Sequence, residues 1–280
     1  MTFREYGDPH GTPLFFFHGW PGSATQASLA HDAASKTGFR VIAPNRPGIG
    51  SSPAVAQRRL IDWPKQLRIL ADGLGIGRFA VLGVSGGGPY ALAAARFLGE
   101  RVIAASVVCG APPIAELPST RGLHPAYRLL LALHKRNPSM VRGILASLRP
   151  LMLWPDATVL TRPLRILLPS PDAATLADPA VSASVFGCQR DAFTDVDGLL
   201  ADAEILAEPW GFRPEEIGIP THFWHGDADE NFHHSLGANL ARRIPDARFT
   251  LVEGEGHFSL AIRRIHAVLA ALGTATETAL

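Results

Sequence analysis

The stretch FAVLGVSGGGPYALA, residues 79–93, decides the fold of this chain. An apolar run leads into Ser85 and a cluster of glycines, and an alanine-rich run follows. Three readings compete: a nucleophile on a sharp turn, a loop that cradles phosphate, or a plain tight turn. A phosphate loop needs a lysine followed by Ser or Thr after its glycines. Here the glycines are followed by Pro89 and Tyr90. Gly86, Gly88 and Ala91 fit G-x-G-x-x-A, but a dinucleotide site also needs an acidic residue at the end of the next strand to bind ribose. That strand runs into VVCGAPP, residues 107–113, and has no carboxylate.

What remains is G-x-S-x-G, formed by Gly83-Val84-Ser85-Gly86-Gly87 between an apolar strand and a helix, the context this motif requires. A serine on a strand-to-helix turn is held in a strained backbone. Glycines two before and two after it are needed because side chains there would collide as the chain doubles back. The helix that follows aims backbone N–H groups at developing negative charge.

Partners follow in order along the chain. WHGDADENF, residues 224–232, offers Asp227 and Asp229; VEGEGHFSL, residues 252–260, offers His257. Serine, acid, histidine is the chain order of a nucleophile-elbow triad. His257 would take the proton of Ser85, and a buried aspartate would orient the imidazole and stabilise its cation. Each candidate lies just past the C-terminal end of a predicted strand, where open α/β sheets bind ligands. Upstream, FFFHGWPGS (15–23) places a bend after another apolar strand. A tetrahedral oxyanion needs preorganised N–H donors. The N–H of Gly86 and the N–H of Trp20 are the natural two. His18 is read as holding that loop. His18, Trp20, Phe193 and Trp210 are expected to border the substrate.

Short apolar runs alternating with helix-like stretches predict a mostly parallel sheet with helices on both faces. The strands are expected at 14–17, 39–44, 79–84, 102–109, 221–225 and 248–253, with a lead-in strand near 2–6. They are nearly continuous in apolar residues, as strands covered on both faces should be. Helices are expected at 24–36, 64–75, 87–98, 234–243 and 260–271. In the second of these, Leu67, Leu70, Ala71 and Leu74 mark one buried face. The alternation stops at residues 112–212, which read as a helical insertion over a core formed by 1–111 and 213–280. Such a cap would set substrate size and exclude water. Its acids Asp191, Asp195, Asp197, Asp202 and Glu204 read either as a solvated helix face or as partners for a substrate amine.

Composition narrows the function classes. The 280 residues are 47% hydrophobic and 18% charged, enough for a large core, and the net charge of +1 with no basic stripe argues against nucleic acid. No apolar run approaches the roughly 20 residues of a membrane span. The opening MTFREYGDPHGTP lacks a signal-peptide pattern, so a cytoplasmic protein is expected. Cys109 and Cys188 have no metal or redox spacing and are expected as reduced thiols, Cys109 as a small buried hydrophobe. The run 225–234 gathers Asp227, Asp229, Glu230, His233 and His234 without a fixed ligand spacing, so no metal is expected there.

With HGWPGS, VIAPNRPGIGSS, VLGVSGGGPYALA, WHGDAD and EGHFS in this order, the chain resembles the α/β-hydrolase superfamily over nearly its whole length. It looks like the branch that holds small esterases, epoxide hydrolases, dehalogenases and proline iminopeptidases. The resemblance implies an α/β-hydrolase fold of about seven strands with a helical cap before the strand at 221–225. It also implies Asp229, three after Gly226, as the acid, with Asp227 as runner-up and Asp195 or Asp197 as outside choices. Ser85 argues against epoxide hydrolases and dehalogenases, which carry aspartate at that position. Asn45 stands where the branch usually has aspartate, and is expected to keep a turn and little else. The expected activity is cofactor-free and metal-free hydrolysis of an ester or related acyl bond in a small molecule, by a monomer or homodimer. The alternatives are a proline iminopeptidase-like aminopeptidase, because HGWPG resembles that class's HGGPG loop, and a small-ligand sensor that retains the triad.

Overall fold

The computed structural model describes residues 1–154, 163 and 165–278. Its centre is a seven-stranded sheet: β1 (Phe3–Gly7), β2 (Thr12–Phe17), β3 (Phe39–Pro44), β4 (Phe79–Val84), β5 (Val102–Val108), β6 (Thr221–Gly226) and β7 (Ala247–Val252). The strand order is β1-β3-β2-β4-β5-β6-β7. β1 runs antiparallel to β3 and every other pairing is parallel. The expected strands agree with these to within about two residues, the usual scatter of element ends. The lead-in strand forms β1.

The central strands are largely apolar because both of their faces are covered; every residue of β4 and β5 is buried. Alternate residues serve opposite faces. Phe15 and Phe17 join the core with Phe79, Val81 and Tyr90, whereas Leu14 and Phe16 join Val41, Ala80 and Leu82 on the other face. Helices α1 (His31–Lys36), α2 (Trp63–Gly73) and α3 (Gly88–Phe97) link the first five strands. Pro64 sits in the first turn of α2, where its missing N–H costs little. The alanines of α3 are all buried.

The long segment between β5 and β6 is helical where described: α4 (Pro125–Arg136), α5 (Pro138–Met152), α6 (Ser170–Thr175), α7 (Pro179–Ala192) and α8 (Val196–Ala207). Residues 155–162 and 164 of the expected insertion lie outside the described residues. Asn137, Asp178 and Asp195 cap α5, α7 and α8 by accepting from backbone N–H groups of the first turn. These helices pack on the core loops through a small cluster in which Ile49 meets Val141, Leu145, Phe193 and Leu199.

Two helices differ from expectation. The stretch 24–36 begins as a 3-10 turn, Ala24–Ala30, before α1. The C-terminal helix starts earlier and breaks, giving α10 (His257–Arg263) and α11 (Ile265–Thr278), bent by 61°. The buried Leu260 and Ile265 are five apart, a spacing that leaves one helical stripe, so the break lets α10 lie at the strand ends while α11 covers the sheet. Between β6 and these helices, α9 (His234–Ala241) packs on β6 and β7. Among the described residues no single helix is long and apolar enough to cross a membrane.

Asn45 does more than keep a turn. Its side chain accepts from the N–H of Ala24 at 2.7 Å and donates to Thr2 Oγ1 at 3.1 Å, joining the end of β3 to two other segments.

Candidate active site

Ser85 follows the last residue of β4 and opens a 3-10 turn that becomes α3. Its φ is +53°, in the left-handed region that costs a non-glycine residue about 1–3 kcal/mol and persists where the surroundings enforce it. They do so here. A Cβ on Gly83 would stand 2.3 Å from the Gly87 carbonyl oxygen, and one on Gly87 would stand 2.0 Å from that of Phe17. The elbow therefore closes on itself and on β2 only with glycine at both positions. The Ala111 N–H holds the Ser85 carbonyl at 2.9 Å.

The side chain of Ser85 donates to His257 Nε2 at 2.9 Å, and His257 Nδ1 donates to Asp229 Oδ2 at 2.8 Å. All three residues are buried. They follow the C-terminal ends of β4, β6 and β7, which the parallel strand direction places along one side of the sheet. Asp229 is fixed through its other oxygen, which accepts from the N–H groups of Asn231 at 2.8 Å and Phe232 at 3.1 Å. His225 Nε2 donates to the Phe232 carbonyl at 2.8 Å and lies 3.2 Å from Asp229 Oδ2.

Burial pushes the Asp229 carboxyl up, but the charge of His257 and the hydrogen bonds from His225 and His257 outweigh it and hold Asp229 well below the usual carboxylate range. Burial alone would lower His257. The charge and hydrogen bond of Asp229, with the charge of Asp172 behind them, raise it instead above the ordinary histidine value. The arrangement is a hydroxyl whose proton has an acceptor, an acceptor that is stabilised once protonated, and an acid that stays ionised. That is the physical requirement for nucleophilic attack by serine.

The loop after β2 closes the other side. A Cβ on Gly19 would lie 3.3 Å from Ser85 Cβ, and one on Gly86 would lie 3.1 Å from the Trp20 backbone nitrogen. The backbone nitrogens of Trp20 and Gly86 are thus neighbours beside the serine. Gln26 Oε1 accepts from the Gly19 N–H at 2.7 Å, and the Trp20 indole donates to the Leu199 carbonyl in α8 at 3.0 Å. Beneath the loop lies Arg46. It donates to the carbonyls of His18 and Gly19 and forks onto Asp202 of α8, Nε to Oδ1 at 2.9 Å and Nη2 to Oδ2 at 2.7 Å. Tyr90 donates to Asp202 Oδ1 at 2.7 Å, and Arg58 lies 3.4 Å away. Burial raises Asp202, but the guanidiniums of Arg46 and Arg58 dominate and bring it to about 2.

Two cavities meet at Ser85, and Trp20 and Tyr127 border both. One, of about 680 Å³ including its mouth, is walled by apolar side chains such as Leu130, Leu131, Leu206 and Phe232, with His134 and Glu204 among its polar residues. The other, of about 730 Å³ including its mouth, is more polar, with Gln26, Gln189, Asn231 and His257 in its wall.

The sequence matches the family described as alpha/beta hydrolase fold over residues 12–262. The chain belongs to that family. Over 116 residues it is 30% identical to a bifunctional esterase/perhydrolase of Acinetobacter calcoaceticus, covering 41% of this chain and 42% of that protein. The match thus spans about two fifths of that curated relative's length. Among solved structures, a thermophilic esterase from Thermogutta terrifontis superposes with a TM-score of 0.68 at 21% identity, covering 100% of this chain and 94% of the esterase. An enol-lactonase from Burkholderia xenovorans LB400 gives a TM-score of 0.69 at 21% identity, with 99% and 96% covered. At such identities these two show a shared alpha/beta hydrolase fold.

Within this alpha/beta hydrolase, three residues expected at the substrate lie elsewhere. His18 is fully buried under the loop. Its Nδ1 donates to the Gly19 carbonyl at 3.0 Å, and it is pushed down to about 3 by burial first and then by Arg46. Phe193 faces inward and packs with Ile49 and Leu199. Trp210 stacks on Phe212 in the main core and borders a separate outer groove. Aromatic residues of a helical layer divide between its own core and the site below, and periodicity does not say which. Trp20 alone of the four borders the cavities at Ser85.

The other candidate acids have different partners. Asp227 Oδ1 accepts from the Gly254 N–H at 2.8 Å, Asp195 caps α8, and Asp197 pairs with Arg142 on the surface. His233 caps α9 by accepting from the Ser235 N–H at 3.3 Å. Cys109 and Cys188 are buried, free thiols, and burial holds Cys109 well above its ordinary value.

Sequence reasoning missed two contacts that hold the site. One is Arg46 with its partner Asp202. The other is Asp172 in α6, buried, whose carboxylate accepts from the N–H groups of His257 at 3.0 Å, Phe258 at 3.0 Å and Ser259 at 2.8 Å. It caps α10 from outside, and a Cβ on Gly256 would lie 2.5 Å from it. A signal existed: GHFS opens a helix with glycine where Ser, Thr, Asp or Asn is preferred, so the capping oxygen had to come from elsewhere.

Proposed function

We propose that the protein is a serine hydrolase that cleaves an ester or related acyl bond of a small molecule through an acyl-enzyme. The observation that carries this reading is the unbroken relay Ser85–His257–Asp229 at a left-handed elbow, opening onto a largely apolar cavity. Ser85 Oγ attacks the carbonyl carbon and His257 Nε2 takes its proton. The Trp20 and Gly86 N–H groups receive the negative charge that develops on the carbonyl oxygen. His257 then protonates the departing alcohol. Water, activated by the same imidazole, attacks the acyl-enzyme and frees the acid. Asp229 stays ionised throughout. Two cavities on either side of Ser85 give separate places to the acyl and alcohol parts, and the helical insertion 112–212 serves as the lid over them.

The acids of the insertion favour an ester over a peptide amine. Asp191 accepts from the hydroxyls of Ser23 and Thr25, and Asp195, Asp197 and Asp202 are engaged as described. Glu204 alone of the five borders the apolar cavity, 3.9 Å from His134. An aminopeptidase needs a set of acids at the substrate amine, and this wall offers one. The formed relay supports turnover rather than ligand sensing alone.

The test is kcat/KM on p-nitrophenyl esters of rising chain length beside prolyl and leucyl p-nitroanilides. Esters should lead by at least about 100-fold, and Ser85→Ala should abolish turnover. A preference for the anilides would contradict the reading. The rate should rise with pH through a midpoint above the ordinary histidine value near 6.5, because the base must be neutral and its neighbours Asp229 and Asp172 hold the proton on.

A further inference from the structure

Resting on the hydrolase reading, we infer that Asp202 of the insertion is a positioning residue for the oxyanion donor, acting through Arg46. The carbonyl of Gly19 and the N–H of Trp20 belong to the same planar trans peptide, so they point in opposite directions. Whatever holds the carbonyl on one side aims the N–H to the other. Arg46 Nη2 donates to that carbonyl at 2.9 Å, and His18 Nδ1 donates to it at 3.0 Å. Arg46 Nη1 holds the preceding carbonyl, that of His18. On the far side, the Trp20 nitrogen lies against Gly86, next to the nucleophile. The guanidinium thus fixes two successive peptide planes and leaves the Trp20 N–H facing the reacting carbon's oxygen.

Arg46 is itself aimed by Asp202. Its Nε and Nη2 form a two-bond fork with the carboxylate, a geometry that sets the plane of the guanidinium as well as its position. Both side chains are nearly inaccessible, at 1% and 0% exposure, so water cannot substitute for either partner. Tyr90 holds the carboxylate in turn. Asp202 sits in α8, within the helical segment, while Arg46 and the loop belong to the sheet's own connections. The donor peptide is therefore in register only when α8 is seated. A positive charge behind the Gly19 carbonyl also polarises the peptide and strengthens the N–H as a donor to an anion.

The experiment compares wild type with Asp202→Asn, Arg46→Lys and Tyr90→Phe, each at a temperature where circular dichroism shows it folded. Three quantities are read: kcat and KM on p-nitrophenyl butyrate, the inhibition constant of an alkyl trifluoromethyl ketone, which forms a tetrahedral oxyanion on Ser85, and the midpoint of the acid limb of kcat/KM. Asp202→Asn and Arg46→Lys should lower kcat about 10- to 100-fold, below the cost of deleting an oxyanion donor outright. KM should stay within about threefold, the range of uniform ground-state binding. The ketone should weaken in proportion to the loss in kcat/KM. The acid limb should stay where it is, because the charges that face His257 are those of Asp229 and Asp172. Tyr90→Phe keeps the ion pair and the volume, and should give the same pattern at roughly three- to tenfold, about one hydrogen bond's worth.

Folded variants within threefold of wild type on both ester and ketone overturn the inference. So does a loss of kcat with a displaced acid limb, which would place the effect on the base. If the two charge variants fail to fold, Tyr90→Phe decides alone by the same criteria. A wild type that neither cleaves esters nor binds the ketone overturns the hydrolase reading and this inference with it. An active wild type with indifferent variants overturns this inference only.

Discussion

Two aspartates of the helical segment between β5 and β6 are buried at the site, and they behave in opposite ways. Asp202 faces cations: Arg46 and Arg58 hold its carboxyl down against burial. Asp172 faces backbone. Burial raises its carboxyl, and its bonds to the N–H groups of Ser259 and His257, with the charge of His257, only oppose the rise. Asp202 grips the oxyanion side of the site, and Asp172 caps the helix that begins at His257. The contrast teaches that depth alone does not set a buried acid's charge. The identity of the groups placed around it decides whether its carboxyl lies below or above its ordinary value.

Truncation should separate the two most strongly. Asp202→Ala leaves the Arg46 guanidinium buried without its partner, a loss of about 3–5 kcal/mol. Asp172→Ala removes a helix cap, about 1–2 kcal/mol. Urea unfolding followed by tryptophan fluorescence reads both, and equal losses would erase the distinction.

Acidity gives the sharper comparison, because the signs are opposed. Asp202 has a lowered carboxyl, so its stabilising contribution is present above the unfolded value near 3.8 and fades as pH falls toward about 2. Asp202→Asn should therefore cost more at pH 7 than at pH 3. Asp172 has a raised carboxyl, so its contribution is present below that same unfolded value and fades as pH rises through the folded one. Asp172→Asn should cost less at pH 7 than at pH 3. Melting temperatures of both variants across that range test the pair of signs, and parallel curves would refute it.

The smallest expected effect is at Trp20. Its indole borders both cavities and bonds to Leu199, while its backbone N–H does not depend on the side chain. Trp20→Ala should shift acyl-chain preference by about tenfold on an ester panel while the best substrate keeps most of its rate, on the scale of a few lost methylene contacts. Equal loss on every ester would contradict that separation.

How much of this was legible in the sequence follows the same division. The sheet strands and the elbow could be read because their signals are local: apolar runs, glycines that a turn requires, and a serine between them. Asp229 and His257 could be read as candidates because each follows a strand end. The supports could not. Arg46 and Asp202 are separated by 156 positions, and Asp172 precedes His257 by 85, with no periodicity to join them. Asp202 was open to two readings because an acid on a helix looks the same whether it faces water or a buried arginine. Phe193 and Trp210 were expected at the substrate for a related reason: the pattern shows that they are buried, and only packing shows against what. The break after Arg263 was hidden because both halves carry apolar residues.

Whether Ser85 is an activated nucleophile beside a formed oxyanion site can be measured directly. Intact mass is recorded after treatment with a fluorophosphonate, for wild type and for Ser85→Ala. One adduct is expected on the wild type and none on the variant. A folded wild type that gains no adduct, or a variant that gains the same one, would contradict that reading.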